Sequence, residues 1–572
     1  MRPERVHELR IAGAGEDDGA TGDLDVTGPL ELVATGRGRA TIDALRSDRV
    51  LDLYAPAKLE GLRIQGGLAL DPGGGAGAGV RVVSGRLELR DSAISGNRGE
   101  SALELVSDDG MTVRDSEVSD NAAAGIVDRG GGGLRAAHTE VSRNEGTGIL
   151  GDGAGGVAVY HGEVSGNSLR GIQELGDGDV AVVDVLASAN GKQTIDEQGE
   201  GSVYLRRSRL RESGADALTE QGDGELSIYR SRVTGSRGGA AVELGPGGIA
   251  LIKSRVAFND GLGLSESEDG AVGLEESVLR GSRLGGIVES GDGGVGLTLA
   301  KVLASGGVGV AEADDGDVAL VRATIAGADR EGLSASGAVS LVRSRIAANG
   351  GGATVVSGSL SLARSQIVDN SGAIGGALAR DSRISLRQST IGRNHADGGP
   401  GGGLALFGDS SLDAVNATVA ENSARLAGGG ILVGAGVEAR LNAVTIAANR
   451  SEGGPGGGIA LADGTASAAI DNSLIARNLA ALGGPDCDGA GFESGGGNLV
   501  GSSAGCGALG GPGDLVRPLP LIGGLGSNGG PTPTVALHRG SPAIGAAGAD
   551  APSRDQRNLA RRDPDAGAFE RR

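Results

Sequence analysis

One interval governs what this chain can fold into. An apolar residue three positions before an Asn or Ser recurs along most of its length, and from Val118 to Ile325 nine successive steps are each 23 residues. Ile94 precedes the series; Ile346, Ile367, Ile391, Val419, Ile446 and Ile475 continue it at steps of 21, 21, 24, 28, 27 and 29. A repeat of this length is a single supersecondary unit that buries its apolar face only against its neighbours. Within one unit three short apolar pieces alternate with Gly-rich turns: Gly171-Ile172-Gln173-Glu174, then Val180-Ala181-Val182, then the piece that ends at Asn190. Each is too short for a helix and alternates with period two. Three strands per unit, stacked about 4.8 Å apart, predict an all-β, right-handed, single-stranded parallel β-helix of about 19 coils. A leucine-rich repeat of similar period would place Leu two residues after the Asn and a helix in the remainder, and neither is present.

Composition agrees with the interval. Gly accounts for 112 of 572 residues, which disfavours helices throughout. The turn glycines Gly178, Gly201, Gly224, Gly247, Gly270, Gly293 and Gly316 recur at the same 23-residue step and are expected at positive φ. Four Tyr, four Phe and no Trp leave little for stacking bases or sugars. A formal charge of −21 repels nucleic acid and anionic membrane, so nucleic acid is excluded as a partner, and no apolar run reaches the ~18 residues of a membrane span. The first ten residues hold no apolar export segment. Cys487 and Cys506, 19 residues apart, suit one disulfide and an oxidising compartment instead. A monomer is expected.

In a β-helix every alignment column is a ladder in space. The column three after the apolar anchor holds Asn at twelve of seventeen positions and Ser at four, which reads as amide stacking at a bend. Seven positions further on lie Glu174, Glu197, Glu220, Glu243, Glu266, Glu289 and Glu312, accompanied in the turn by Asp177, Glu200, Asp223, Asp269, Asp292 and Asp315. Stacked carboxylates repel, so this column is a candidate Ca2+ ladder; a solvated acidic edge is the alternative. No other cofactor is expected. Just before the anchor, Arg207, Arg209, Arg230, Arg232, Lys253 and Arg255 form a basic stripe, a candidate surface for acidic polysaccharide or cell-surface components, and Arg322, Arg343, Arg345 and Arg364 follow further on. On the same face of earlier coils His138 and His161, with Glu140 and Glu163, are the only weak candidates for acid/base or metal chemistry.

The C-terminal stretch loses the 23-residue beat. It carries Asn528-Gly529-Gly530-Pro531-Thr532, Gly540-Ser541-Pro542-Ala543-Ile544, Asp555-Gln556-Arg557 and Gly567-Ala568-Phe569-Glu570, and so resembles the choice-of-anchor Q domain of exported bacterial β-helix proteins. Gly545, Asn558 and Ala566 depart from the usual Asp, Gly and Ile of that domain. Gly15-Glu16-Asp17-Asp18, Gly22-Asp23-Leu24-Asp25-Val26 and Asp48-Arg49-Val50 resemble the segment that follows a CSLREA motif in the same proteins, although the motif is missing. The resemblance implies PbH1-type repeats of pectin-lyase-like shape, and an extracellular or cell-surface protein whose export signal precedes a truncated start. The expected domains are an N-terminal cap over 1–40, the β-helix over 41–484 and the C-terminal domain over 485–572. The expected role is a structural or adhesive, non-catalytic rod; a polysaccharide lyase or glycoside hydrolase on the same fold is the alternative.

Overall fold

The computed structural model describes residues 1–11, 13, 21–69, 76–507 and 509–572. Gly15-Glu16-Asp17-Asp18 of the CSLREA-like segment therefore lie outside the described residues. The described chain is all strand, turn and bend, with about 20 coils divided between two compact units, Met1–Gly273 and Leu274–Arg572.

In unit 1 each coil has three parallel strands. A typical set is Ile172–Glu174, Val180–Val183 and Leu186–Ser188. They pair one coil onward in strict register: Ile172 with Ile195, Val180 with Val203, Ala187 with Leu210. Alternation does the sorting, since Val180 and Val182 are buried while Ala181 and Val183 face outward. The corners are made by a column of non-glycine residues in the left-handed region, among them His138 (φ 50), His161 (φ 50), Asp184 (φ 57), Arg207 (φ 50) and Arg230 (φ 49). The bend keeps the ladder intact, because each corner N–H still donates to the next coil, as His161 does to Val183 at 2.9 Å. That bond, repeated at Asp115, His138, Asp184, Arg207 and Arg230, offsets the steric cost of the conformation.

The turn glycines need a different explanation from the one their spacing suggests. Gly178, Gly201, Gly224, Gly247, Gly270 and Gly316 do not occupy the left-handed region. A Cβ on Gly224 would lie 2.1 Å from the Gly201 carbonyl oxygen, and one on Gly247 only 1.6 Å from that of Gly224. Close stacking of turn on turn demands the missing side chain, and the positive φ sits at the corner column instead.

Unit 2 repeats the three-strand coil and adds to it. Where the repeat lengthens, a further short sheet forms from Ser371–Gly372, His395–Ala396, Ser423–Ala424, Arg450–Ser451 and Leu479–Ala480. Coil-type pairing continues past residue 485: Cys487 pairs with Ile459, Phe492 with Ala468 and Leu499 with Leu474. Cys487 and Cys506 form the disulfide read from their spacing, with Cα atoms 4.9 Å apart.

The last stretch turns back along the coils. Ile522–Gly526 and Thr534–Leu537 make an antiparallel pair. Ile522, Val535, Leu537, Ala566 and Phe569 pack on Ala420, Ala447, Leu474 and Leu499. Motif residues of the resemblance make the polar contacts: Gln556 donates to Thr390 Oγ1 at 2.9 Å and accepts from Thr418 Oγ1 at 2.6 Å, while Ala568 N–H donates to Thr445 Oγ1 at 2.9 Å.

Candidate functional site

Three columns carry the chemistry. The first, the Asn column, is structural. Asn121 Nδ2 donates to the Ile94 carbonyl at 3.0 Å and to Asn144 Oδ1 at 2.9 Å, and the same Oδ1 accepts the Asn121 backbone N–H at 3.3 Å. Asn394 repeats the pattern in unit 2, on Ile367 and Asn422. Each amide thus satisfies its own bend and its neighbour, and Asn97, Asn121, Asn144 and Asn167 are buried to 1% exposure or less.

The second is the glutamate column, and its placement overturns the solvated-edge reading. Glu174, Glu197, Glu220, Glu243 and Glu266 of unit 1 are 0% exposed. Oε1 of each accepts a backbone N–H from its own turn, at 3.0 Å from Gly176, 2.9 Å from Gly199, 2.8 Å from Gly222 and Gly245, and 2.9 Å from Glu268. Oε2 of each is buried without a hydrogen-bond partner. Glu174 pairs with Glu197, and Glu243 with both Glu220 and Glu266, in direct register. Burial pushes the Glu174 carboxyl up to about 7. Burial, and then contact with the Glu220 carboxyl, pushes Glu197 and Glu243 well above the usual range. Stacked, desolvated carboxyls in this state can share protons between coils or take Ca2+ between them. In unit 2 Glu289 Oε1 accepts from Gly291 and Glu312 Oε1 from Gly316, both at 3.0 Å, while Glu312 Oε2 accepts from Ser336 at 3.1 Å. The accompanying acidic turn residues Asp177, Glu200 and Asp223 are exposed.

The third column is the corner. His138 and His161 stack with ring centroids 5.1 Å apart and planes inclined by 10°. Their carboxylate partners are Asp115, 3.7 Å from His138 Nδ1, and Asp184, 3.6 Å from His161 Nδ1. Glu140 and Glu163 instead accept hydroxyl protons from Ser142 at 2.6 Å and Ser165 at 2.7 Å. The sequence reading pairs the histidines with Glu140 and Glu163 instead, although the two aspartates occupy the corner column directly before and after the histidines. Both imidazoles are half exposed on an open face, and Asp184 is also clamped by both ends of the Arg207 guanidinium, which holds its carboxyl below the usual range. The set is an exposed charge ladder.

The corner column continues through Arg207, Arg230 and Lys253, and the strand position two residues on completes the basic stripe. Arg209, Arg232 and Arg255 are stacked in register on successive strands, and none of the three makes an ion pair among the described residues. Arg230 lies 5.2 Å above the Tyr229 ring, and Lys253 is exposed at the next corner. In unit 2 a shallow groove of about 420 Å³ is lined by Arg322, Arg343, Arg364 and Arg387 beside the exposed Val321 and Val342.

No curated protein matches the chain. Among solved structures it is similar to pectate lyase Pel9A, at 12% identity and a TM-score of 0.21, over 75% of this chain and 89% of that one. It is also similar to the A-module of Azotobacter vinelandii mannuronan C-5 epimerase AlgE6, at 12% identity and a TM-score of 0.18, over 80% of this chain and 91% of that one. Neither likeness is strong enough for an activity to transfer. No helix is long and apolar enough to cross a membrane. The model of the right-handed β-helix region matches residues 76–231 and 306–475, more than half of the chain, which therefore belongs to the right-handed β-helix family.

Proposed function

We propose that the chain is a non-catalytic, exported β-helix scaffold that holds acidic polysaccharide on its arginine rows. The observation that carries this reading is the stack of Arg209, Arg232 and Arg255, like charges at strand spacing that no carboxylate of the described residues pairs. Stacked guanidiniums repel one another and are stabilised by a polyanion whose carboxylates run along the row. The groove on Arg322, Arg343, Arg364 and Arg387 repeats the motif in unit 2, with apolar side chains beside it for the faces of sugar rings. Export is supported by the disulfide and by the choice-of-anchor Q resemblance of the C-terminal stretch. The competing lyase or hydrolase reading needs an acid and a base converging on a cleft, and the histidine pair stands on an open face.

Affinity electrophoresis through gels containing polygalacturonate, alginate or neutral dextran tests the reading, alongside assays for unsaturated uronate and new reducing ends. Retardation by an acidic polymer, relieved by salt and by joint Arg209→Ser and Arg232→Ser substitution, with no product formed, is expected. Absence of retardation, or product formation abolished by His138→Ala, would overturn it.

A further inference from the structure

Three aspartates near the start of unit 1 stand apart from the three columns. Asp25 and Asp52 sit opposite each other where Leu24–Val26 pairs with Leu51–Leu53. One carboxylate oxygen from each of Asp23, Asp25 and Asp52 lies within 4.8 Å of the other two. Asp23 is 6% exposed and Asp52 1%, and Oδ1 of both is buried without a hydrogen-bond partner. Buried carboxylate oxygens with no donor are costly, so this arrangement asks for a cation.

Two guanidiniums approach the site. Arg49 Nε stands 3.2 Å from Asp52 Oδ2 and 3.6 Å from Asp23 Oδ2. One Arg81 nitrogen is 3.8 Å from Asp52 Oδ2, but the same guanidinium is shared with Glu104 at 4.0 Å. Asp48 stands beside them, its Oδ1 accepting the Arg49 backbone N–H at 2.7 Å. Asp23 and Asp52 thus share the Arg49 guanidinium through Oδ2, which leaves Oδ1 of each without a donor. The donors are all hard carboxylate oxygens within 4.8 Å of one another, close enough to share one ion, and Ca2+ tolerates an irregular all-protein ligand set that Mg2+, with its strict octahedron and tightly held waters, does not.

We propose that Asp23, Asp25 and Asp52 form a Ca2+ site that joins the strands Leu24–Val26 and Leu51–Leu53. The ion replaces the missing donors at Asp23 Oδ1 and Asp52 Oδ1. This site is separate from the glutamate column and does not depend on polysaccharide binding.

Calorimetric titration of the full chain with CaCl2 and with MgCl2 tests the proposal, using the native protein, Asp25→Asn, Asp52→Asn and Glu220→Gln. One Ca2+ per chain is expected, with Mg2+ weaker. Either aspartate variant should weaken Ca2+ binding at least about tenfold, and Glu220→Gln should leave it unchanged. Hydrogen exchange should slow over residues 24–26 and 51–53 on adding Ca2+. If Asp52→Asn fails to fold, the less buried Asp25→Asn decides alone. No heat with either cation, or undiminished binding in Asp25→Asn, overturns the site; loss of binding in Glu220→Gln moves the ion to the glutamate column and overturns it too. Mg2+ binding tighter than Ca2+ overturns the choice of ion.

Discussion

The inward wall position that holds Glu174, Glu197, Glu220, Glu243 and Glu266 in unit 1 holds Ala335, Val355, Ala379, Leu406, Val433 and Leu461 in the later coils of unit 2. The backbone slot is the same and the occupant is opposite in character. What differs is the turn behind it. In unit 1 the N–H two residues beyond the wall points inward to Oε1, whereas in the later coils of unit 2 the turn finds other acceptors, as Gly436 N–H does in Thr465 Oγ1 at 2.9 Å. A buried carboxyl in this fold is thus one half of a matched pair with its own turn.

The sharpest way to break that pairing is Leu406→Glu. It sets a carboxyl in an apolar row, and should cost more than about 4 kcal/mol or prevent folding, as measured by denaturant unfolding. The Asn column is common to both regions, so Asn144→Ala and Asn394→Ala should cost alike, about 3 kcal/mol each for the bonds removed; a clear inequality would show that the regions differ in more than the wall. Acidity should separate them again. Glu174, Glu197 and Glu243 have raised native values, so the stability they lend is full below about pH 4.5 and is lost as pH rises through about 7 at Glu174, and higher at Glu197 and Glu243. Fixed-pH hydrogen-exchange pulses after equilibration between pH 5 and 9 should show the coils over 172–266 weakening by on the order of 2 kcal/mol, and those over 335–461 unmoved. A smaller gain tests the same point. Glu220→Gln supplies an N–H to the neighbouring carboxyls and should stabilise unit 1 by about 1 kcal/mol at pH 8 while flattening its pH profile. Smallest of all, joint His138→Ala and His161→Ala should change the melting midpoint by an amount equivalent to less than about 0.5 kcal/mol, as expected for an exposed ladder.

The coil, its three strands, the amide ladder and the disulfide were legible because each is locked to an interval, and intervals survive without coordinates. Burial of the glutamates was legible too, but under the wrong cue. Ile172 and Glu174 are two apart on one strand and share its inward face, yet the charge of Glu argued for solvent. At the histidines the error was one of direction: Glu140 and Glu163 lie across the strand, whereas Asp115 and Asp184 lie along the column, where side chains at one corner meet those of adjacent coils. The aspartate site had no local signature at all. Asp52 is 27 residues from Asp25, and only the register of the first coils brings them together. Glycine counts, likewise, could not distinguish a turn that needs positive φ from one that needs room for its neighbour.

The returning C-terminal stretch has a mechanical consequence. It is fastened in turn to Thr390, Thr418, Thr445 and Asn472, residues of four successive coils. A solenoid held only by nearest-neighbour pairing unzips from its end one coil at a time, each step yielding at low load. Here tension on the C-terminus falls first on stitches that span those coils together, so they should share the load and give way as a block.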